Sequence, residues 1–305
     1  MDTTTTIYAV RPSVRALLAE AIDYAGLFPP SAVSMPEAVL NYATYRNSNY
    51  SWMLGRFVVS ASRLGEFAEC AADFVSRDAG SPWRIAVVFD GNLAENLAAV
   101  DSFNVVNGER MFCDSVEMKV SSGDAISSAA AALPAGVSAF FELALDEALP
   151  ELVAEINLAG QQAKIRTGGI TPEAFPRTNE VVKFVRTCLA ANVPFKATAG
   201  LHHPIRCFRP LTYEANSVKG TMHGFLNLFL MTGFAREGFR TSFLEDVMEE
   251  EFEEVFAVED QSIIWRTEFS LNTFQIEQLR AKGIRGFGSC SFDEPVADLQ
   301  KLGIL

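Results

Sequence analysis

Short β-rich segments alternate along the chain with stretches of helical spacing. The β-rich segments are Gly26 to Phe28, Arg56 to Ser60, Arg84 to Phe89, Ser115 to Val120, Phe140 to Leu143, Ala163 to Thr167, Phe195 to Thr198 and Gly286 to Ser289. Between them, segments such as Leu64 to Val75 and Val181 to Leu189 carry apolar residues at helical spacing, and capping residues such as Ser34 and Thr178 open helical stretches. Alternation of strands and helices predicts a parallel sheet, and eight units predict closure into a (β/α)8 TIM barrel. An open doubly wound sheet is the alternative, but no Gly-x-Gly-x-x-Gly turn follows the first strand.

The last two predicted strands are separated by an unusually long segment. About ninety residues lie between Lys196 and Gly288, roughly three times the usual βαβ repeat. We therefore expect a single domain over 1–305 with a mainly helical insertion at 204–283, over or beside the barrel mouth. Its helices are predicted over Met222 to Ala235 and over the acidic stretch Phe243 to Phe256, whose Phe252 belongs to the apolar face. The insertion would form a lid or a homo-oligomer contact.

Charged residues fall on the inward face of four neighbouring predicted strands. Side chains alternate between the two faces of a strand, so the apolar positions of each strand predict which residues point inward. The inward ionisable residues are Glu117, Lys119, Glu142, Lys164, Arg166 and Lys196. Burying charge is unfavourable unless the charges are paired, so one interpretation is a structural network of salt bridges. Pairing leaves two surplus positive charges, and these would attract an anionic ligand or lower the pKa of a lysine, as Schiff-base formation requires.

The same strands resemble a known family. The order Phe141-Glu142-Leu143, then Lys164-Ile165-Arg166-Thr167-Gly168-Gly169, then Phe195-Lys196-Ala197-Thr198-Ala199-Gly200 resembles strands five to seven of the deoxyribose-phosphate aldolases. These are class I aldolases on this barrel fold. The segment Gly286 to Ser291 resembles the Gly-x-Ser-Ser turn of that family, and the resemblance covers Ser115 to Gly200 besides this turn. It implies that Lys164 is the Schiff-base nucleophile, that Lys196 lowers its pKa and that Glu117 carries a proton.

The candidate substrate-binding residues lie at the predicted strand ends and in the loops beyond them. They are Lys119, Arg166, Thr167, Gly168, Thr198, His203, Arg206, Ser289 and Ser291. Cations, hydroxyl groups and backbone amides at strand ends would bind a carboxylate or a phosphate, although ordinary turn chemistry also explains Thr167, Gly168 and the two serines. Where the family has a phosphate-binding Gly-Gly turn, this chain has Gly200-Leu201-His202-His203-Pro204, which argues against a sugar phosphate.

All three histidines, His202, His203 and His223, lie in the loop after the seventh strand or in the insertion. Face alternation puts His202 at the barrel mouth, where it would act as a general acid or base. The alternative is a metal-dependent hydrolase or lyase in which the histidines join Glu142 or Asp23 as ligands, but the adjacent pair lacks a strong metal-binding spacing. Asp23 either caps local structure or faces the site. The sequence assigns Cys290 no activating partner.

Composition narrows the class of protein. The chain has 305 residues, 49% of them hydrophobic and 21% charged, and no stretch approaches the roughly 18 apolar residues of a membrane helix. Met1 to Pro12 lacks the pattern of a secretion signal, and the five scattered cysteines predict reduced thiols, so we expect a cytoplasmic protein. A net charge of −13 argues against nucleic acid and anionic membranes as partners.

These observations together predict a class I aldolase-like lyase that acts on a small, possibly anionic, carbonyl substrate through Lys164. No cofactor is expected. The alternatives are the metal-dependent barrel enzyme and a noncatalytic barrel that binds a small anion.

Overall fold

Eight parallel strands close into a barrel. The computed structural model describes residues 10–75 and 82–305; the start of the chain, where no secretion signal is predicted, lies largely outside these ranges. The barrel strands are β1 (Ile22–Tyr24), β2 (Leu54–Ser60), β3 (Trp83–Val88), β4 (Met111–Lys119), β5 (Ser138–Glu142), β6 (Gln162–Arg166), β7 (Phe195–Thr198) and β13 (Ile284–Ser289). Within the described residues they pair in the closed order β1-β13-β7-β6-β5-β4-β3-β2. The (β/α)8 prediction is confirmed, and the open sheet is wrong.

Helices alternate with these strands. They are α1 (Pro12–Leu18), α2 (Met35–Arg46), α3 (Leu64–Ala71), α4 (Leu93–Asn107), α5 (Gly123–Ala132), α6 (Leu149–Leu158), α7 (Thr178–Ala190), α8 (Phe225–Arg236), α9 (Thr241–Glu249), α10 (Thr273–Lys282) and α11 (Asp293–Lys301). The hydroxyl of Ser34 accepts a hydrogen bond from the Glu37 amide at the start of α2, as its capping position predicts. In the part of the chain that the structure describes, every helix is too short or too polar to cross a membrane.

The first strand lies four residues earlier than its predicted position. Residues Gly26 to Phe28 form a turn instead, in which the Phe28 amide donates to the carbonyl of Ala25 over 2.9 Å. The following Pro29 and Pro30 have no amide hydrogen to contribute to a strand ladder. This shift makes Asp23 the central residue of β1, pairing in register with Gly288 of β13.

Residues 199–283 contain strands as well as helices. A hairpin is formed by β8 (Cys207–Pro210) and β9 (Lys219–Met222), and a three-stranded antiparallel sheet by β10 (Phe256–Val258), β11 (Ser262–Trp265) and β12 (Phe269–Asn272). The apolar helix α8 packs on the barrel wall, where the rings of Phe225 and Phe229 lie 4.8 and 6.2 Å from that of Phe287 in β13. A position over or beside the mouth for the whole of 204–283 stays a prediction.

The acidic helix is shorter than predicted. It ends at Glu249, and Phe252, expected on its buried face, is 68% exposed. The side-chain amide of Asn227 donates to the carbonyls of Val247 and Glu250. These carbonyls would accept backbone hydrogen bonds if the helix continued, and Asn227 takes the place of those donors. The buried Glu250 carboxylate pairs with Arg266 over 2.8 Å, which holds the chain in an extended path beyond the helix.

Replacing Phe287 tests the packing of α8 on the barrel. We expect Phe287→Ala to lower the free energy of unfolding by about 3–5 kcal/mol, because it empties a site between two aromatic rings. Phe252→Ala is the matched control and should change it by less than about 0.5 kcal/mol, since that ring is exposed. Urea unfolding of both variants measures the difference, and equal effects would contradict the packing described above.

Candidate active site

The carboxyl ends of the barrel strands surround a cavity of about 590 Å³. Its walls are mainly apolar and include Val58, Val88, Phe89 and Met118. Charged and polar residues predicted for catalysis also line it, namely Glu117, Glu142, Lys164, Lys196 and His202. An apolar pocket with a few converging ionisable groups is the usual form of a small-molecule site.

Ionised side chains form an alternating chain at the bottom of this cavity. Lys196 Nζ lies 2.5 Å from Asp23 Oδ2 and 2.6 Å from Glu117 Oε1. Glu117 Oε2 lies 2.7 Å from Lys164 Nζ, which is itself 2.9 Å from Glu142 Oε2. Each lysine therefore lies between two carboxylates, and Glu117 bridges both lysines.

Strand register brings these residues together. Lys164 pairs across the sheet with Glu142 on one side and with Lys196 on the other. Neighbouring residues in register project to the same face of a sheet, so the three side chains enter the barrel at one level. The Lys196 ammonium also lies 5.3 Å from the centre of the Phe140 ring, which forms part of the interior beside it.

Burial and ion pairing act in opposite directions on the two lysines. Burial alone would lower the pKa of Lys164, but the carboxylates of Glu117 and Glu142 outweigh it and raise that pKa above the ordinary 10.5. The pKa of Lys196 is raised in the same way by Asp23 and Glu117. Both lysines are therefore ammonium groups at neutral pH. The expected lowering of the Lys164 pKa is wrong for the resting protein.

The central carboxylate is held in its ionised form. Burial would raise the pKa of Glu117, but Lys164 and Lys196 lower it to about 2. Its side chain is 3% exposed, so the charge is compensated by the two ammonium groups and not by water.

Charge balance also differs from the expectation of two surplus positive charges. Asp23 adds a third carboxylate to Glu117 and Glu142, and among the described residues these three face the two buried lysines, Lys164 and Lys196. The Lys119 side chain is 79% exposed, with its ammonium 3.6 Å from Glu142. The prediction of two surplus positive charges is wrong, because it left out the Asp23 carboxylate and counted the rim residues Lys119 and Arg166 as interior cations.

A second layer of charge supports Asp23 from below. The backbone amide of Arg56 donates to Asp23 Oδ1 over 2.7 Å. The Arg56 guanidinium binds Asp114 through two hydrogen bonds of 2.5 and 3.0 Å, and Arg84 binds the same carboxylate over 2.8 Å. Gly55 leaves room for this arrangement, because a Cβ at that position would lie 2.3 Å from Asp23 Oδ1.

Some of the predicted substrate-binding residues reach the cavity and others do not. Lys119, Arg166 and Thr198 line it. Thr167 is buried, and its hydroxyl donates to the carbonyl of Ala199 over 2.8 Å, which ties the end of β6 to the end of β7. Gly168 allows close packing, since a Cβ there would lie 2.9 Å from the Cα of Gly200. Thr167 and Gly168 thus have structural roles and lie outside the lining of the cavity, and their contact with a ligand stays a prediction.

The serines at the end of β13 also serve local structure. The Ser291 hydroxyl accepts a hydrogen bond from the Glu294 amide at the start of α11. Ser289 is buried, and its hydroxyl accepts from the Ser291 amide over 3.4 Å. Both lie outside the lining of the cavity, and their contact with substrate stays a prediction.

The three histidines occupy three separate environments. His202 lines the cavity, whereas His203 Nδ1 lies 2.6 Å from Asp298 in a smaller cavity of about 120 Å³. Arg206 lines that smaller cavity as well, with Nε 3.3 Å from Glu251. His223 is buried, with Nε2 2.8 Å from the carbonyl of Pro176. The prediction that His203 and Arg206 share the site with His202 is therefore wrong.

These positions bear on the metal alternative. In residues 10–75 and 82–305, no group of three or more histidine, cysteine, aspartate or glutamate side chains has the arrangement of a metal site. The chain bends at His203, so that His202 lines the larger cavity and His203 the smaller one, with their ring centres 6.5 Å apart. The three histidines do not converge with Asp23 or Glu142.

Sequence reasoning missed or undervalued several residues of the cavity. Asp23 was recognised as a candidate but was placed before the strand that contains it. Cys290 lines the cavity 3.7 Å from His202; Glu294 contacts His202, and Tyr213 contacts Cys290. The adjacency of His202 and Cys290 follows from the neighbouring positions of β7 and β13, a signal that barrel closure alone could have provided.

Comparison with known proteins does not assign the chain to a family. No protein-family model matches the chain, and no curated protein matches it. Two solved structures are similar in shape. The spore cortex-lytic enzyme SleL of Bacillus cereus matches at a TM-score of 0.40 and 10% identity, over 93% of this chain and 73% of that one. The nitroalkane oxidase of Streptomyces ansochromogenes matches at 0.35 and 14% identity, over 63% and 62%. Neither likeness extends to the function of this chain.

Removing Lys196 tests the buried ion chain. We expect Lys196→Met to lower the free energy of unfolding by about 3–5 kcal/mol, because it leaves Asp23 and Glu117 buried without their shared cation. Lys119→Met is the matched control and should change it by less than about 1 kcal/mol, since its ammonium is exposed. Denaturant unfolding at neutral pH measures both, and a Lys196→Met protein as stable as the parent would contradict the pairing.

Acid should remove the contribution of the Glu117 carboxylate to the free energy of unfolding. The carboxylate has a pKa of about 2 when folded against an ordinary 4.5, so its contribution is complete above 4.5 and falls as the pH drops toward 2. The full contribution is about 3 kcal/mol. Unfolding curves of the parent and Glu117→Gln from about pH 6 to about pH 3 should therefore converge as the pH falls. A gap that stays constant over this range would refute the assignment.

Proposed function

We propose that the cavity is an enzyme active site in which Lys164 forms a Schiff base with a small carbonyl compound, in the manner of a class I aldolase. The observation that carries the proposal is the pair of buried lysines bridged by Glu117 at the bottom of an apolar cavity. Lys164 is the nucleophile of the pair because 9% of its side chain is exposed, against 2% for Lys196. Lys196 and Asp23 then hold Glu117 in place behind it.

Glu142 is the proposed proton carrier. It lies 2.9 Å from Lys164 and is partly open to the cavity, whereas Glu117 stays ionised between two ammonium groups. Transfer of a proton from Lys164 to Glu142 frees the amine, whose lone pair attacks the carbonyl carbon. A C–N bond forms, and the carbonyl oxygen takes the proton released by nitrogen. The proton on Glu142 then returns to the new hydroxyl group, water leaves, and an iminium ion remains.

The iminium ion provides the driving force for lyase chemistry. It withdraws electrons from the bond between the α and β carbons of the substrate. When the Glu142 carboxylate takes the proton of a hydroxyl group on the β carbon, this bond breaks, its electron pair moves toward the iminium nitrogen, and an aldehyde and a neutral enamine form. The apolar walls formed by Val58, Val88 and Phe89 exclude water from this reaction. Lys119 and Arg166 at the rim suit a substrate with a carboxylate at its other end.

Reductive trapping tests the proposal. The protein is incubated with borohydride and a panel of aldehydes and 2-oxo acids, and the modified residue is identified by peptide mass spectrometry. We expect an adduct on Lys164 that is lost in Lys164→Met and retained in the control Lys183→Met, which removes an exposed lysine of α7. Absence of a Lys164 adduct with every compound, or equal labelling of Lys183, would overturn the Schiff base.

The pH dependence of trapping has a defined direction. Because Glu117 and Glu142 raise the pKa of Lys164 above 10.5, the neutral amine, and with it the trapping rate, should increase through the alkaline range. Glu142→Gln removes the proposed proton carrier, so its trapping rate at about pH 8 should fall below that of the parent even though the loss of this carboxylate lowers the Lys164 pKa. A rate that levels off below pH 8 in the parent would contradict the ion chain as the cause.

A noncatalytic barrel that binds a small anion gives different results. It would be stabilised by its ligand, by about 2.7 kcal/mol at a hundredfold excess over Kd, without forming any adduct on Lys164. A thermal-shift screen of 2-oxo acids and phosphorylated sugars, followed by trapping with each compound that stabilises the protein, separates the two functions.

A further inference from the structure

A second group of reactive side chains lies at the same cavity, next to the end of β13. Cys290 follows β13, and its Sγ lies 3.7 Å from Nδ1 of His202. The same imidazole nitrogen lies 3.2 Å from Oε2 of Glu294, at the start of α11. The hydroxyl of Tyr213 donates to this Glu294 oxygen over 2.8 Å and lies 3.7 Å from the sulfur. The four side chains thus form one connected cluster.

Access to this cluster is through the cavity. Cys290 is 6% exposed and His202 is 7% exposed, yet both line the cavity wall. A thiol in this position meets small molecules that enter the cavity, whereas larger reagents are excluded. Tyr213 belongs to the loop between β8 and β9, so part of residues 199–283 contributes directly to this edge of the site.

Charges around the sulfur favour its ionised form. Burial would raise the pKa of Cys290, but the neighbouring His202 and a hydrogen bond with Ser31 lower it below the ordinary 9.0. Burial would likewise lower the pKa of His202, but Cys290 and Glu294 raise it to about 9. The groups that face the sulfur come from the loop after β1, the loop after β7, the β8–β9 loop and α11. Cys290 in turn helps to raise the pKa of Tyr24, on β1.

Other cysteines of the chain lack these partners. Cys113 and Cys188 are buried, and burial raises the pKa of both. Cys207 is more exposed than Cys290, but its pKa is also raised, mainly by burial. Exposure alone would therefore make Cys207 and the half-buried Cys70 more reactive than Cys290, while the cluster predicts the reverse order.

We propose that Cys290 is a nucleophilic thiol of this cavity, activated by His202 and Glu294, that adds reversibly to the carbonyl carbon of small aldehydes. In this step the sulfur forms a bond to the carbonyl carbon, and the electron pair of the C=O π bond moves to oxygen. That oxygen takes the proton of the His202 imidazolium, which gives a neutral hemithioacetal and neutral imidazole. Glu294 keeps the imidazole in position. The step needs neither Lys164 nor an oxidant.

Alkylation with iodoacetamide tests the activation of the thiol. Peptide mass spectrometry of the full-length protein should show that Cys290 reacts faster at neutral pH than Cys207 and Cys70, with a rate that levels off below pH 9.0. His202→Asn should slow the reaction of Cys290 at neutral pH about tenfold, because each unit of pKa changes the thiolate fraction about tenfold. Cys207→Ser is the matched control and should leave the rate at Cys290 unchanged.

The dependence of the Cys290 alkylation rate on pH in the parent protein decides the question even if His202→Asn does not fold. Reaction of Cys290 no faster than that of Cys207, or a rate still rising above pH 9.0, would overturn the activated thiol. An unchanged rate in a folded His202→Asn protein, judged by its circular dichroism and melting temperature, would overturn the role of the histidine.

A labelled aldehyde tests the substrate class. Propanal carrying 13C at the carbonyl carbon is added to the Lys164→Met protein, which separates this outcome from that of the Schiff base. We expect a hemithioacetal carbon signal that disappears in the double variant Lys164→Met/Cys290→Ser, together with protection of Cys290 from iodoacetamide. A reactive Cys290 that gives neither the signal nor the protection would overturn the assignment of aldehydes.

Discussion

Ionised groups inside a barrel of this size must be paired with opposite charges, because little water reaches them and an unpaired buried charge destabilises the fold by several kcal/mol. Glu117 meets this constraint for both buried lysines at once. It joins Lys164 of β6 to Lys196 of β7 from its own position on β4, and Asp23 and Glu142 complete the coordination on either side. Five of the eight barrel strands are therefore linked by one run of ion pairs, and the shape of the cavity above depends on it.

The same pairing limits reactivity. A carboxylate that stabilises an ammonium group in the fold also opposes its conversion to the amine that attacks a carbonyl. An aldolase-like reaction in this cavity must therefore overcome the ion pair at Lys164 when substrate binds. On the proposed mechanism, transfer of the proton from Lys164 to Glu142 removes this ion pair, and an anionic end of the substrate held by Lys119 or Arg166 would shift charge toward the rim. The conflict between stability and reactivity is thus concentrated at one contact of 2.9 Å.

Much of this arrangement could be predicted from the sequence, and the failures have physical causes. Face alternation identified the inward residues of β4 to β7, because those strands are long enough for their apolar positions to define a buried face. It failed for β1, where three residues offer no pattern and the acidic Asp23 looked like a loop residue. The sequence could not decide the role of Thr167 and Gly168, since a turn that closes on its neighbour and a turn that binds an anion use the same residue types. The separation of His202 from His203 followed only from the path of the loop after β7.

Cys290 and Lys164 are two nucleophiles of one cavity whose pKa values are shifted in opposite directions, so they suit different steps of a reaction. At neutral pH the thiol of Cys290 is shifted toward its reactive form and the amine of Lys164 away from it. A hemithioacetal withdraws no electrons from the adjacent carbon–carbon bond, so addition of sulfur can capture an aldehyde but cannot cleave it. An iminium ion on Lys164 can do so, but only after proton transfer to Glu142. On the two proposals together, the thiol holds an aldehyde that the lysine either releases from a larger substrate or joins to a second carbonyl compound. The apolar part of the cavity wall, which includes Val58, Val88 and Phe89, then keeps water from competing for either carbon.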